Sequence, residues 1–117
     1  MRAHEIYELY EYIIKNLGTL FKSQYSSRVV DKAVDTMPQE YLEKVCSAIK
    51  NNPNKKQKLF KEIMLDQYGN YLAPRLIENS KKNGLTKHYN YFIDIYTNSL
   101  DVLKKKQHGK KLISKIN

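Results

Sequence analysis

Ser23-Gln24-Tyr25-Ser26-Ser27-Arg28-Val29-Val30 returns 43 positions later as Asp66-Gln67-Tyr68-Gly69-Asn70-Tyr71-Leu72-Ala73. In both stretches a Gln-Tyr pair is followed by two small residues. A third, looser copy, Gln107-His108-Gly109-Lys110-Lys111-Leu112-Ile113, follows 40 positions after the second, counted from Tyr68 to His108. A period in this range, with three helices per unit, is the signature of an α-solenoid. Two tandem units and a C-terminal cap fit the whole chain.

Outward from these copies the apolar residues recur at helical spacing, and no strand alternation competes with it. Ile6, Leu9, Tyr10, Ile13 and Leu17 mark one stripe on a helix over 4–17, with Gly18 as its expected C-cap. A second helix is expected around Val29, Val30, Ala33 and Val34. Pro38 opens a third in its first turn, with Thr36 and Gln39 spelling a capping box ahead of Leu42, Val45, Cys46 and Ile49. Asn51, Asn52, Pro53 and Asn54 read as a polar loop that ends this helix. The order then restarts: a short helix at Leu59, Phe60, Ile63 and Met64, a second at Tyr71, Leu72, Leu76 and Ile77, and a third at Phe92, Ile95, Tyr96, Ser99 and Leu100. Leu112, Ile113 and Ile116 close the chain.

At 117 residues the chain has the length of one domain, and 41% hydrophobic with 28% charged residues makes it globular. Twenty-one Lys and Arg against twelve Asp and Glu give a net charge of +9, a field that attracts nucleic acid, an acidic membrane leaflet or an acidic protein. The excess is concentrated in Lys104, Lys105, Lys106, Lys110, Lys111 and Lys115, in a stretch with no acid. Lys55, Lys56, Lys58 and Lys61 form a second cluster. Cys46 is the only cysteine, so no internal disulfide or thiolate zinc site is available, and its position on an apolar stripe makes it a core residue. No apolar run approaches membrane-spanning length and the N-terminus lacks a signal-peptide core, which points to a reducing compartment. Three scattered histidines suggest neither a metal nor a catalytic site, and His4 and His88 read as surface residues.

The stretch Leu59-Phe60-Lys61-Glu62-Ile63-Met64-Leu65-Asp66-Gln67-Tyr68-Gly69-Asn70-Tyr71 closely resembles the last RNA-reading repeat of Pumilio-type (PUF) proteins. Tyr25-Ser26-Ser27-Arg28-Val29-Val30-Asp31-Lys32-Ala33-Val34 resembles the repeat before it. His108-Gly109-Lys110-Lys111-Leu112-Ile113-Ser114-Lys115 resembles the C-terminal capping half-repeat. The match is collinear and covers nearly the entire chain. It implies an all-α solenoid in which 4–17 is the last helix of a preceding repeat, 18–54 and 55–99 are repeats, and 100–117 is the capping half-repeat. Similar proteins form an arc of eight repeats, so the chain is expected to be the C-terminal end of a longer protein or a truncated relative. Ile6, Leu9 and Ile13 are then expected at an uncapped apolar end.

The resemblance also implies a site. Each repeat presents three side chains of its second helix to one base, two at the Watson–Crick edge and one stacking between bases. In the first repeat the edge positions fall on Ser27 and Asp31, the guanine-type pair, and stacking falls on Arg28. In the second they fall on Asn70 and Pro74, with stacking on Tyr71. Asp31 is one methylene shorter than the family's Glu. Pro74 replaces a Gln and offers neither donor nor acceptor, while a position near the end of a first turn spares the fold. By themselves Ser27 and Asp31, one turn apart, would be a solvated polar stripe, and Asn70 beside Gly69 an N-cap. Tyr25, Tyr68 and His108 read as packing between repeats. Lys104, Lys105, Lys106, Lys110 and Lys111 are the expected phosphate contacts.

The function implied is binding of single-stranded RNA, in the 3′ untranslated region of mRNA, lowering its translation or stability in the cytoplasm. Regulatory proteins would sit on the convex face, and no catalysis, cofactor, metal or small-molecule substrate is expected. Two alternatives stand beside it. One is a nucleolar PUF-like protein of ribosome biogenesis that holds RNA through phosphates. The other is a protein-interaction solenoid that binds no RNA.

Overall fold

The computed structural model describes residues 3–52 and 58–116. Eight α-helices lie within these residues: α1 (Ala3–Leu20), α2 (Gln24–Thr36), α3 (Gln39–Lys50), α4 (Leu59–Leu65), α5 (Leu72–Lys82), α6 (Thr86–Asn98), α7 (Leu100–Leu103) and α8 (Gln107–Ile116). A 3₁₀ turn, Gly69–Tyr71, leads into α5. The chain is all-α and compact, with a radius of gyration of 13.5 Å, close to the ~13 Å expected of a folded chain this long.

α1 bends where its sequence invites a competing hydrogen bond. Asn16 leaves helical geometry (φ −118°, ψ 18°) and its side-chain amide donates to the Tyr12 carbonyl at 2.8 Å. The helix resumes through Leu20, so Gly18 does not cap it, contrary to the expectation from sequence. Leu17 and Phe21, beyond the bend, are buried. Gly84 supplies the left-handed residue (φ +70°) after α5. Leu85 N–H bonds the Ser80 carbonyl at 2.9 Å and Gly84 N–H that of Lys81 at 3.2 Å, the paired closure of a Schellman motif.

The expected capping box at α3 does not form. Thr36 turns its hydroxyl back onto the carbonyls of Lys32 and Ala33 in α2, at 3.2 and 3.3 Å. Pro38 is itself the N-cap, extended at φ −61° and ψ 155°. Its carbonyl takes the N–H groups of Tyr41 and Leu42. Pro53, Asn54, Lys55 and Lys56 lie outside the described residues.

The residue directly after each Gln-Tyr or Gln-His meets the same point, the carbonyl six residues before it. Ser26 donates its hydroxyl to the Leu20 carbonyl at 2.5 Å, six residues before it. A Cβ on Gly69 would lie 2.8 Å from the Ile63 oxygen, and one on Gly109 would lie 2.1 Å from the Leu103 oxygen, again six residues before. At Gly69 and Gly109 the turn is pressed onto the end of the preceding short helix, where a Cβ would collide with backbone, whereas at Ser26 the hydroxyl bonds the end of α1. The same contact thus recurs at the 43- and 40-residue spacings of the sequence copies.

α1 packs on α2 and α3, α2 on α5, α3 on α4, α4 on α5, α6 and α8, and α5 on α6 and α8. The core these contacts enclose includes Phe21, Phe60, Phe92, Met64, Leu72 and Leu112. Phe60 and Phe92 stack at 4.5 Å between centroids, and removal of either ring would cost about 3–5 kcal/mol. Cys46 is fully buried with Sγ 3.6 Å from Ser80 Oγ, and burial pushes its thiol up to about 11, leaving it unreactive.

Some apolar residues depart from their expected places. Val29 is 48% exposed, because Ser27, Val30 and Val34 define the inward face of α2 and Val29 sits a third of a turn from Val30. Ile13 is buried, while Ile6 and Leu9 are half-buried, so the apolar end is smaller than expected. His88 is half-buried against expectation, its Nδ1 enclosed without a hydrogen-bond partner; burial, with Lys50 nearby, lowers its proton affinity.

Candidate nucleic-acid interface

The packing of α2 against α5 opens a cleft of about 500 Å³ between α2 and the turn that leads into α5. Gln24, Ser27, Arg28 and Asp31 line it from α2, and Gln67, Tyr68 and Tyr71 from the turn. Ser27 and Arg28 each stand about one helical turn before Asp31, which puts all three along one side of α2. Four of the six residues named from sequence as base contacts therefore meet here: Ser27, Arg28, Asp31 and Tyr71.

Their states differ. Arg28 is exposed, and Tyr71, also on the cleft lining, is 54% exposed. Ser27 is buried and its hydroxyl donates to the Gln24 carbonyl at 3.2 Å, which leaves its oxygen free to accept. Asp31 is gripped by Arg75, whose Nε donates to Oδ1 at 3.0 Å and whose Nη2 donates to Oδ2 at 3.3 Å. Arg75 Nη1 also reaches Asp35 Oδ1 at 3.1 Å, one turn further along α2. The hydrogen bond to Asp31 raises the proton affinity of Arg75 against its own desolvation, so the guanidinium stays charged.

Asn70 and Pro74 do not line the cleft. Asn70 is buried, and its amide donates to the carbonyls of Asp66 and Gln67 at 2.9 and 2.8 Å. It is not the cap of this turn. Asp66 is, accepting from the N–H groups of Tyr68 and Gly69 at 2.8 Å each. Pro74 is the third residue of α5, half-buried in the first turn.

The residues read as packing divide three ways. His108 does pack, with Nε2 2.7 Å from the Leu65 carbonyl at the end of α4. Tyr68 is half-buried on the cleft wall. Tyr25 stands in solvent at 79% exposure, against expectation.

Lys104, Lys105, Lys106, Lys110 and Lys111 are all exposed, in the α7–α8 turn and on α8, and none is among the cleft residues. The lysine that does reach the site is Lys115, with Nζ 4.4 Å from the centroid of the Tyr71 ring. Its signal in the sequence was the one-turn spacing from Lys111 on a helix that packs on α5. Arg75 was legible only as a cation one period and one residue after Asp31. Lys58 of the second lysine cluster lies instead over the Tyr91 ring at 5.5 Å. Among the described residues no three His, Cys, Asp or Glu side chains gather into a metal site.

No model of a known protein family matches the chain, and neither does any curated protein.

Proposed function

We propose that this chain is a binding module for single-stranded RNA and not an enzyme, built as an α-solenoid of two PUF-like repeats and a C-terminal half-repeat. The observation that carries the reading is the cleft lined by two exposed residues, Arg28 and Tyr71. A planar cation and an aromatic ring at one opening suit a nucleobase, whose π-face stacks on either. Lys115 beside Tyr71 and the lysines of the α7–α8 turn would hold the phosphates that flank such a base. By its resemblance the chain acts on mRNA in the cytoplasm, lowering translation or stability with regulatory proteins on its other face.

A second reading has its own support: a nucleolar, ribosome-biogenesis type of PUF-like protein that grips phosphates and reads bases weakly. The Asn70 amide is engaged by backbone carbonyls, Pro74 has no donor, and Asp31 is held by Arg75. Few groups are left to read a base edge.

Titration of a fluorescently labelled single-stranded RNA against the same sequence as a duplex tests the common part of both readings. Binding should favour the single strand. Tyr71→Ala should weaken it by about 1–3 kcal/mol, the usual contribution of one stacked base. Absence of binding at low salt would leave the protein-interaction solenoid as the better account.

A further inference from the structure

We infer that Arg75 sets the base selectivity of this cleft by occupying the Asp31 carboxylate in the way a guanine edge would. The inference rests on the RNA-binding reading above and adds a residue to it. Guanine offers a carboxylate two roughly parallel donors, N1–H and N2–H. Arg75 offers Asp31 two roughly parallel donors as well, Nε–H to one oxygen and Nη2–H to the other, at 3.0 and 3.3 Å. The two forks compete for one acceptor, and Arg75 has the advantage of being covalently present.

The competitor is also anchored. Its third nitrogen, Nη1, holds Asp35 at 3.1 Å, so a guanine that displaced the fork from Asp31 would meet a guanidinium still tethered nearby. Asp31 lines the cleft and Arg75 does not, yet the Arg75 fork takes both carboxylate oxygens from outside it. Arg28 and Tyr71 make no bond to this pair, so stacking is independent of it. The consequence is a slot that stacks any base and discriminates little among them. Removal of the Arg75 fork frees a two-oxygen acceptor and turns the same slot toward guanine.

The test uses the full chain and a set of uridine-rich oligoribonucleotides that differ only in one internal base, guanine or adenine. The wild-type protein should bind the two with similar affinity. Arg75→Gln should raise the preference for guanine roughly five- to 150-fold, the range of one two-donor contact. Arg75→Lys keeps the charge and loses the fork, so it should give a smaller rise; if Arg75→Gln does not fold, as judged by circular dichroism, this variant decides. Adding Asp31→Asn to either variant should abolish the gain. Variants that bind RNA with an unchanged guanine-to-adenine ratio would overturn the role of Arg75 and leave RNA binding intact. A gain that survives Asp31→Asn would overturn it too, because the carboxylate would not be the reader. If no protein, the wild type included, binds any of the oligonucleotides, the RNA reading falls and takes this inference with it.

Discussion

Gly69 and Gly109 look alike in the sequence, yet the space around them differs. A Cβ on Gly69 would lie 2.7 Å from a Phe21 ring carbon and 2.8 Å from the Ile63 oxygen. One on Gly109 would lie 2.1 Å from the Leu103 oxygen and within 3 Å of two further backbone atoms. A ring can shift slightly, whereas the backbone at the end of α7 is held by its own hydrogen bonds. Gly109→Ala should therefore destabilise the protein by at least about 1–3 kcal/mol, and by more than Gly69→Ala, as read by urea denaturation of the two variants. Equal costs would mean that the close approach at Gly109 is relieved by movement of α8. Sequence alone marked both as small residues; the clash that requires them to be small is a tertiary fact.

Among the elements, α5 carries the departure that matters most for the site. Pro74 is the third residue of the helix, where a missing N–H is least costly because the first-turn donors lack helical partners anyway. Pro74→Gln should thus change stability by less than about 1 kcal/mol, well below the ~3 kcal/mol of a mid-helix proline. Thermal melting monitored at helical wavelengths reads this directly. A large rise in Tm would show the proline to be strained against the 3₁₀ turn at Gly69–Tyr71. The positions of most helices were legible from apolar spacing, since a one-sided stripe must be buried somewhere. Their ends were less so. Asn16, Thr36 and Asp66 each use a side chain to choose between competing backbone groups, and the choice follows from the neighbouring turn.

At the scale of the molecule the charge is the main lever. The lysines at 104–106, 110, 111 and 115 are exposed at the C-terminal end, with Lys115 against Tyr71. If they hold phosphates, RNA affinity should fall with salt by about 0.7 log units in K per log unit of salt for each single-strand contact. Replacing Lys104, Lys105 and Lys106 together by Glu should flatten that slope and weaken all sequences alike. Anisotropy titrations over a salt series measure both effects, and a slope unchanged by the triple replacement would remove these lysines from the contact set.

The sequence by itself determined that the chain is all-α, because helical periodicity runs through it without a strand pattern to compete. It also determined that Cys46 belongs to the core and that Ser27 and Asp31 share one helix face, since both follow from 3.6-residue spacing. Only the tertiary structure decided that Tyr71 meets that face, that Arg75 takes the Asp31 carboxylate, that Lys115 lies over Tyr71, and that Asn70 turns inward. Each of these joins residues from separate helices or sets a side chain against its own turn. Such pairings depend on how α2, α5 and α8 pack, and periodicity along one helix carries no information about the azimuth of another.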